Sequence, residues 1–170
     1  ILVPYGHRAA LWLAVSAAIA VLYVFLMPTY RHGEPSLAGR RALDFALEMN
    51  GRPARLTDLR GKVVVLDFWA SWCQPCVEEA PSLNALQQRI VARGGLVLGI
   101  SQDDDAAAYE RFLTDQQVNF PTYRDAAKTI APAYGTTLFP EAYLISRDGR
   151  IARKIVGPQD WNSPELTAVL

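Results

Sequence analysis

Cysteine and histidine are both scarce, with two of each in 170 residues. Two cysteines cannot build a multi-disulfide scaffold. The histidines, His7 and His32, both precede the region that can form a globular core, which argues against a histidine-based metal site or a Cys–His nucleophile pair within it. An excess of charge is also lacking, since 17 Lys and Arg stand against 17 Asp and Glu. Arg8 is the one cation before residue 28, so the remainder is close to neutral and offers no basic footprint for nucleic acid. There is no internal repeat and no low-complexity tract. The chain is 51% apolar and 20% charged, which excludes a disordered polymer.

The apolar residues are unevenly spread. Residues 9–27 carry no charge, and Ser16 is their one polar interruption. As a helix, this run would match the ~30 Å hydrocarbon core of a bilayer, at ~1.5 Å per residue. Tyr5 and Tyr30 flank it, where interfacial aromatics are expected, and Pro28 stops it. The expected organisation is an amino-terminal flank over 1–8, a transmembrane anchor over 9–27, a linker over 28–42 and one globular domain over 43–170. The competing reading is a signal segment with a small-x-small site at Ala18-Ile19-Ala20. The apolar run continues past that site to Met27, which favours the anchor. A literal count of flanking cations, Arg8 against Arg31, Arg40 and Arg41, would leave the domain in the cytoplasm.

Beyond the linker, Asn50-Gly51 marks a hairpin between strands at 44–49 and 53–57. The near-continuous apolar run 63–69 reads as a strand buried on both faces. A helix over 74–93 follows, with Pro81 as an expected kink and Gly94-Gly95 as its stop. A second buried strand (96–101), a helix (106–116), a short strand (120–123), a helix (125–134) and a hairpin of strands 142–145 and 151–156 come next. Ser163-Pro164-Glu165 opens a last helix. This order predicts an α/β domain with a mixed central sheet flanked by helices. Asp103, Asp104 and Asp105 read as helix capping and dipole complementation, with an acidic rim as the alternative.

Cys73-Gln74-Pro75-Cys76 carries the chemistry. Cys73 falls between a buried strand and a helix start, where partial positive charge and unpaired N–H groups favour thiolate over thiol. Cys76, three residues on, lies on the same helical face, within bonding reach. As a structural staple this disulfide is poor, because so short a loop yields only roughly 2 kcal/mol. A zinc site wants four ligands where two are present. A redox-active pair is the favoured reading, with a zinc site shared between molecules and a coincidental pair of core cysteines as its alternatives. Asp67, an acid inside an apolar strand, is expected to be buried with its pKa raised, poised to move the proton of Cys76; an edge strand would instead leave it in solvent.

The stretch Val65-Leu66-Asp67-Phe68-Trp69-Ala70-Ser71-Trp72-Cys73-Gln74-Pro75-Cys76 resembles the active-site signature of the thioredoxin superfamily. Together with Arg60-Gly61-Lys62-Val63-Val64, the anchor and Gly157-Pro158-Gln159-Asp160-Trp161, it is similar to the membrane-anchored TlpA/ResA-like thiol–disulfide oxidoreductases of bacteria. The resemblance covers about residues 43–165. It implies a thioredoxin-like fold with an added amino-terminal β-hairpin and a helix–strand insertion; no cofactor and no metal are expected. It also implies a single-pass inner-membrane protein with its domain on the periplasmic side, against the cation count. By the same resemblance Cys73 is the exposed attacking cysteine and Cys76 the resolving one, with Trp72 packed beside them. Asp67 matches the buried acid of thioredoxins, a place where many anchored relatives have Asn. Glu79, one turn after Cys76, matches an acid that adjusts the cysteine pKa values, with a solvated face as its alternative; Glu78 reads as solvated. Pro140 matches a cis-proline facing the cysteines, and Phe139 before it offers backbone to an extended substrate segment, where relatives more often have Thr or a small residue. Pro140-Glu141 is similar to the cytochrome c maturation branch, whereas Gln74-Pro75 is closer to TlpA/ResA.

The implied function is disulfide exchange with partner proteins, as a reductant of apocytochrome c or of a copper-site protein, re-reduced by a membrane electron donor of the thiol-transfer type. Two other functions compete. A copper-binding module on the same fold suits soft thiolates, but is expected to want a histidine, and none follows His32. A thiol peroxidase expects Thr three residues before its reactive cysteine, where this chain has Ala70.

Overall fold

The computed structural model describes residues 12–22, 37–49 and 51–167. Two compact units divide the chain, 1–35 and 36–170. In the first, residues 12–22 form a helix, α1, whose side chains are exposed throughout. Among the described residues, no helix is long and apolar enough to cross a membrane. The anchor expected over 9–27 lies partly outside them, as do most of the linker and Asn50 of the hairpin turn.

In the second unit, β1 (Ala46–Met49) and β2 (Arg52–Arg55) form an antiparallel hairpin. A 3-10 turn (Leu56–Leu59) leads to β3 (Val63–Trp69), α2 (Gln74–Val91) and β4 (Gly95–Ser101). Then come α3 (Ala106–Asp115), β5 (Thr122–Arg124), α4 (Ile130–Ala133), β6 (Glu141–Ile145), β7 (Ile151–Val156) and α5 (Pro164–Thr167). The main sheet has the order β5-β4-β3-β6-β7. β3 runs parallel to β4 and antiparallel to β6, and β4 runs parallel to β5.

Alternation along β3 assigns its two faces. Val64, Leu66 and Phe68 pack with Leu47, Leu56, Leu59, Ile130 and Tyr134, under the hairpin and α4. Val65 and Trp69 point the other way, among Leu83, Leu86 and Ile90 of α2, Tyr109 and Phe112 of α3, and Trp161. Asp67 shares the α2 face by the same period. Burial on both sides explains the continuous apolar run, and each buried Val, Leu or Phe contributes roughly 1.5–3 kcal/mol.

Several boundaries differ from the sequence reading, each for a local reason. The helix expected over 125–134 shrinks to α4. Lys128 takes a left-handed φ of 52°, and the buried Asp125 carboxylate accepts from the Ile130 N–H at 2.7 Å, so the chain before Ile130 forms a capped loop. The strand expected over 120–123 begins at Thr122, because Pro121 has no N–H for the ladder. Asp44 does not extend β1: its carboxylate accepts from Arg55 and from the Thr57 N–H. Residues 37–42 are not linker, because they hydrogen-bond to the β6–β7 turn and to β7, with Gly39 N–H donating to the Ile151 carbonyl at 2.7 Å. An edge strand offers unpaired backbone groups, and this segment pairs those of Ile151 at the start of β7. α2 runs through Pro81 and stops before Gly94, whose φ is 76°.

Candidate active site

β3 aims the chain at the site, and a tight turn closes with the Cys73 N–H donating to the Ala70 carbonyl at 3.1 Å. Cys73 is the N-cap of α2, and its Sγ accepts from the Cys76 N–H at 3.3 Å. A sulfur thus stands where Ser, Asp or Asn usually accepts this bond, and receives the same partial positive charge. Pro75 fits the first turn, where N–H groups have no helical partner. Cys73 and Cys76 are joined by a disulfide with Cα atoms 5.3 Å apart. The expected exposure of Cys73 is a correction: as a residue it is 5% exposed, nearly as covered as Cys76 at 3%. The surrounding Trp69, Ala70, Ala80 and Phe112 shield it.

The Phe139–Pro140 peptide bond is cis. Phe139 packs against the cluster that contains both cysteines, which brings the cis-proline loop to the disulfide. Its ring meets Trp72 edge-on at 5.9 Å. Trp72 and Leu138 are each 66% exposed, so this rim of the disulfide is aromatic and solvent-facing.

Asp67 is buried in the central strand, paired with Gly99 of β4 and Ala142 of β6, so the edge-strand alternative does not hold. Its Oδ1 has no hydrogen-bond partner in the protein. Burial, reinforced by repulsion from Glu79, raises its pKa well above the usual range. Glu79 is also buried, not on a solvated face. Its Oε1 accepts from the Gln159 N–H at 3.2 Å and from the Trp161 indole N–H, while Oε2 has no partner in the protein. Burial raises its pKa to about 7 against the opposing pull of those two donors. Glu78 is exposed and bonded to Gln74. Asp67 and Glu79 are thus two buried acids whose charges interact, Glu79 one helical turn after Cys76, each with a buried oxygen that lacks a partner in the protein.

Two features escaped the sequence reading. The acidic triplet splits by position: Asp105 caps α3, Asp104 pairs with Lys128, and Asp103 is buried. The Asp103 carboxylate accepts from the Ser71 N–H and hydroxyl and from the Ser101 hydroxyl. Its position directly beyond an apolar strand was the available signal. Glu141, next to Pro140, is buried in an ion pair with Lys154 at 3.0 Å, and Lys154 lies 5.4 Å from the Tyr143 ring centroid. Among the described residues, no group of three or more His, Cys, Asp or Glu could hold a metal ion.

A cysteine pair that can open and close at a helix start, on a thioredoxin-like sheet and beside a cis-proline, defines a class of protein, the thiol–disulfide oxidoreductases. Comparison with known proteins sharpens this. The AhpC/TSA family profile matches residues 38–154. ResA, the thiol–disulfide oxidoreductase of Geobacillus thermodenitrificans, is 35% identical over 120 residues, covering 70% of this chain and 69% of that one. ResA of Bacillus subtilis is 31% identical over 127 residues, covering 74% and 71%. The crystal structure of a thiol:disulfide interchange protein DsbE from Chlorobium tepidum superposes with a TM-score of 0.73 at 33% identity, covering 78% of this chain and 95% of that one. The chain belongs to the AhpC/TSA family and, within it, to the ResA-type thiol–disulfide oxidoreductases.

Proposed function

We propose that this protein reduces specific disulfides of extracytoplasmic partner proteins, apocytochrome c or a copper-site protein, while anchored in a bacterial inner membrane through residues 9–27. The observation that carries the reading is the Cys73–Cys76 disulfide capping α2 beside cis-Pro140. In the reduced enzyme the Cys73 thiolate attacks one sulfur of the partner disulfide. A Cys73–partner bond forms, and the second partner sulfur leaves as thiolate. The Cys76 thiol then gives its proton to Asp67, whose buried carboxylate is the base, and attacks the Cys73 sulfur. The Cys73–Cys76 bond forms, the bond to the partner breaks, and two electrons have passed to the partner, whose two thiolates take one proton back from Asp67 and one from water. A membrane donor of the thiol-transfer type returns the pair to the reduced state.

The surroundings of the sulfurs support that direction. A strong oxidant in this class owes its potential to stabilisation of the reduced, thiolate form. Here burial and the neighbouring carboxyls of Asp67 and Glu79 disfavour a thiolate and oppose the helix N-terminus. That favours the disulfide as the resting product and makes the dithiol a donor of electrons. The exposed Trp72–Phe139 rim supplies apolar contact to a partner segment, whose extended backbone pairs with the chain beside Pro140. Support for the anchor is the uncharged run itself and its helical portion at residues 12–22.

The test is trapping in cells with Cys76→Ser. Mixed disulfides should accumulate through Cys73 and vanish in the Cys73→Ser variant, and the captured proteins should carry cysteine pairs. Capture that depends on Cys76 as the attacking residue would reverse the two roles.

A further inference from the structure

The segment that follows β7 crosses the site. Gly157, with φ of 82°, turns the chain and donates its N–H to the Pro140 carbonyl at 2.9 Å. The chain then runs along α2. Ser82 bridges it, accepting from the Trp161 N–H at 3.3 Å and donating to the Glu79 carbonyl at 2.9 Å. Arg89 donates to the Trp161 carbonyl at 2.7 Å. The Trp161 side chain is fully buried, and its indole N–H ends on Glu79 Oε1, the same oxygen that takes the Gln159 amide. One oxygen of Glu79 is thereby committed, and the other is buried and unpartnered. A carboxyl that accepts two donors on one oxygen carries its own proton on the second, because a proton on the first would face both donors.

We propose that Trp161 is a positioning residue for thiol–disulfide exchange: with the Gln159 amide it fixes Glu79 Oε1 and leaves Oε2 as the one oxygen through which Glu79 trades a proton with Asp67 and the cysteine pair. The groups around the Glu79 carboxyl are Asp67 from β3, whose charge couples to it, and Trp161 and Gln159 from the crossing segment, which donate to it, with Cys76 one turn earlier on α2. The indole N–H stabilises the ionised form of Glu79 in particular, so its loss keeps Glu79 protonated to higher pH. Burial alone would make Trp161 ordinary core. The distinguishing feature is that its one polar atom is spent on a titrating acid.

The inference rests on the reading of Glu79 as a proton-handling group, and the test separates the two. In the full oxidised chain, the Trp161 indole N–H resonance is followed by NMR across about pH 5 to 9. It should shift with a midpoint at the Glu79 value of about 7 and stay flat in Glu79→Gln. The pH profile of disulfide exchange is then compared among wild type, Glu79→Gln, Trp161→Phe and a chain with benzothienylalanine at position 161, which keeps the bulk and removes the N–H. Loss of the donor should move the midpoint up by roughly one unit, the size of one charge-assisted hydrogen bond. A Glu79→Gln profile identical to wild type overturns the role of Glu79 and this inference with it. A profile flattened by Glu79→Gln but unmoved by the benzothienyl replacement overturns the role of Trp161 alone. So does an indole resonance that does not titrate.

Discussion

Asp103 holds Ser71 by three contacts: the Ser71 N–H reaches Oδ1 at 3.0 Å and Oδ2 at 3.1 Å, and the Ser71 hydroxyl donates to Oδ1 at 2.6 Å. Asp103 itself is steadied by the Ser101 hydroxyl at 2.6 Å. The paired ends of β3 and β4 are thus joined through a buried carboxylate to the turn that carries Trp72 and Cys73. The side chains that meet a partner take their direction from this clasp, although Asp103 touches neither sulfur in the contacts described.

Removing the clasp has a definite consequence. Asp103→Ala leaves the half-buried Ser71 amide and hydroxyl and the buried Ser101 hydroxyl without their acceptor, and should cost about 2–4 kcal/mol by denaturant unfolding. Ser71→Ala removes one donor and should cost about 1 kcal/mol. Both should slow disulfide exchange, because the turn no longer fixes Cys73 at the cap. An Asp103→Ala protein with wild-type unfolding midpoint and exchange rate would show that the contacts carry no weight.

These cases also show what the sequence discloses. Asp67 was legible because an acid within a seven-residue apolar strand has few places to go but inside. The cysteine pair was legible because strand, turn and first helical turn are all local. Glu79 was not decidable, since its burial depends on Trp161, 82 residues away, and no local pattern carries that contact. Asp103 was misread for a similar reason. Three consecutive acids look alike in sequence, and only the approach of Ser71 across the sheet separates the buried one from the two at the surface. The short α4 follows the same logic: its apolar spacing is helical, but a buried Asp125 offers the backbone a better partner in a loop.

The two raised acids set a stability slope. Glu79 ionises near 4.5 when unconstrained and at about 7 in the fold. Below 4.5 both states hold the proton and the folded state keeps its full advantage. As pH rises to 7 the unfolded chain gains by ionising and the folded one does not, so stability falls and then levels off. Asp67 acts in the same direction, starting from its usual 3.8. The Glu79 contribution is on the order of 3 kcal/mol. Stability of Glu79→Gln relative to wild type should therefore rise between pH 4.5 and 7, as read from paired urea titrations. A constant difference across that range would show that Glu79 does not titrate with a raised pKa.

Trp72 separates binding from stability. It is 66% exposed and touches Phe139 edge-on, so Trp72→Ala should alter folding stability by no more than about 0.5 kcal/mol. A partner segment lying over the rim would lose an aromatic contact of roughly 1–1.5 kcal/mol, and kcat/KM for a protein disulfide should fall about tenfold. The rate with a small disulfide such as oxidised glutathione should change far less. Equal losses on both substrates would place the effect in the chemistry of the cysteines instead of in docking.

Gly99 tests how tightly the sheet beneath the site is packed. It lies opposite Asp67 in β4, and a Cβ built there would stand 2.7 Å from Trp69 Nε1 and 3.1 Å from the Phe120 ring. Trp69 has little room to retreat, because its ring stacks on Phe112 at 4.1 Å and on Tyr109 at 5.8 Å. In a strand, Gly→Ala is ordinarily neutral or favourable, since the unfolded chain loses freedom. Here the clash should dominate, and Gly99→Ala should destabilise by about 1–3 kcal/mol. The shift reaches the site because Trp69 is the last residue of β3 before the Ala70–Cys73 turn, so exchange should slow together with the fall in melting temperature. An unchanged melting temperature would mean that the Trp69 stack yields to one methyl group, and that the approach of β4 to the indole does not hold the turn in place.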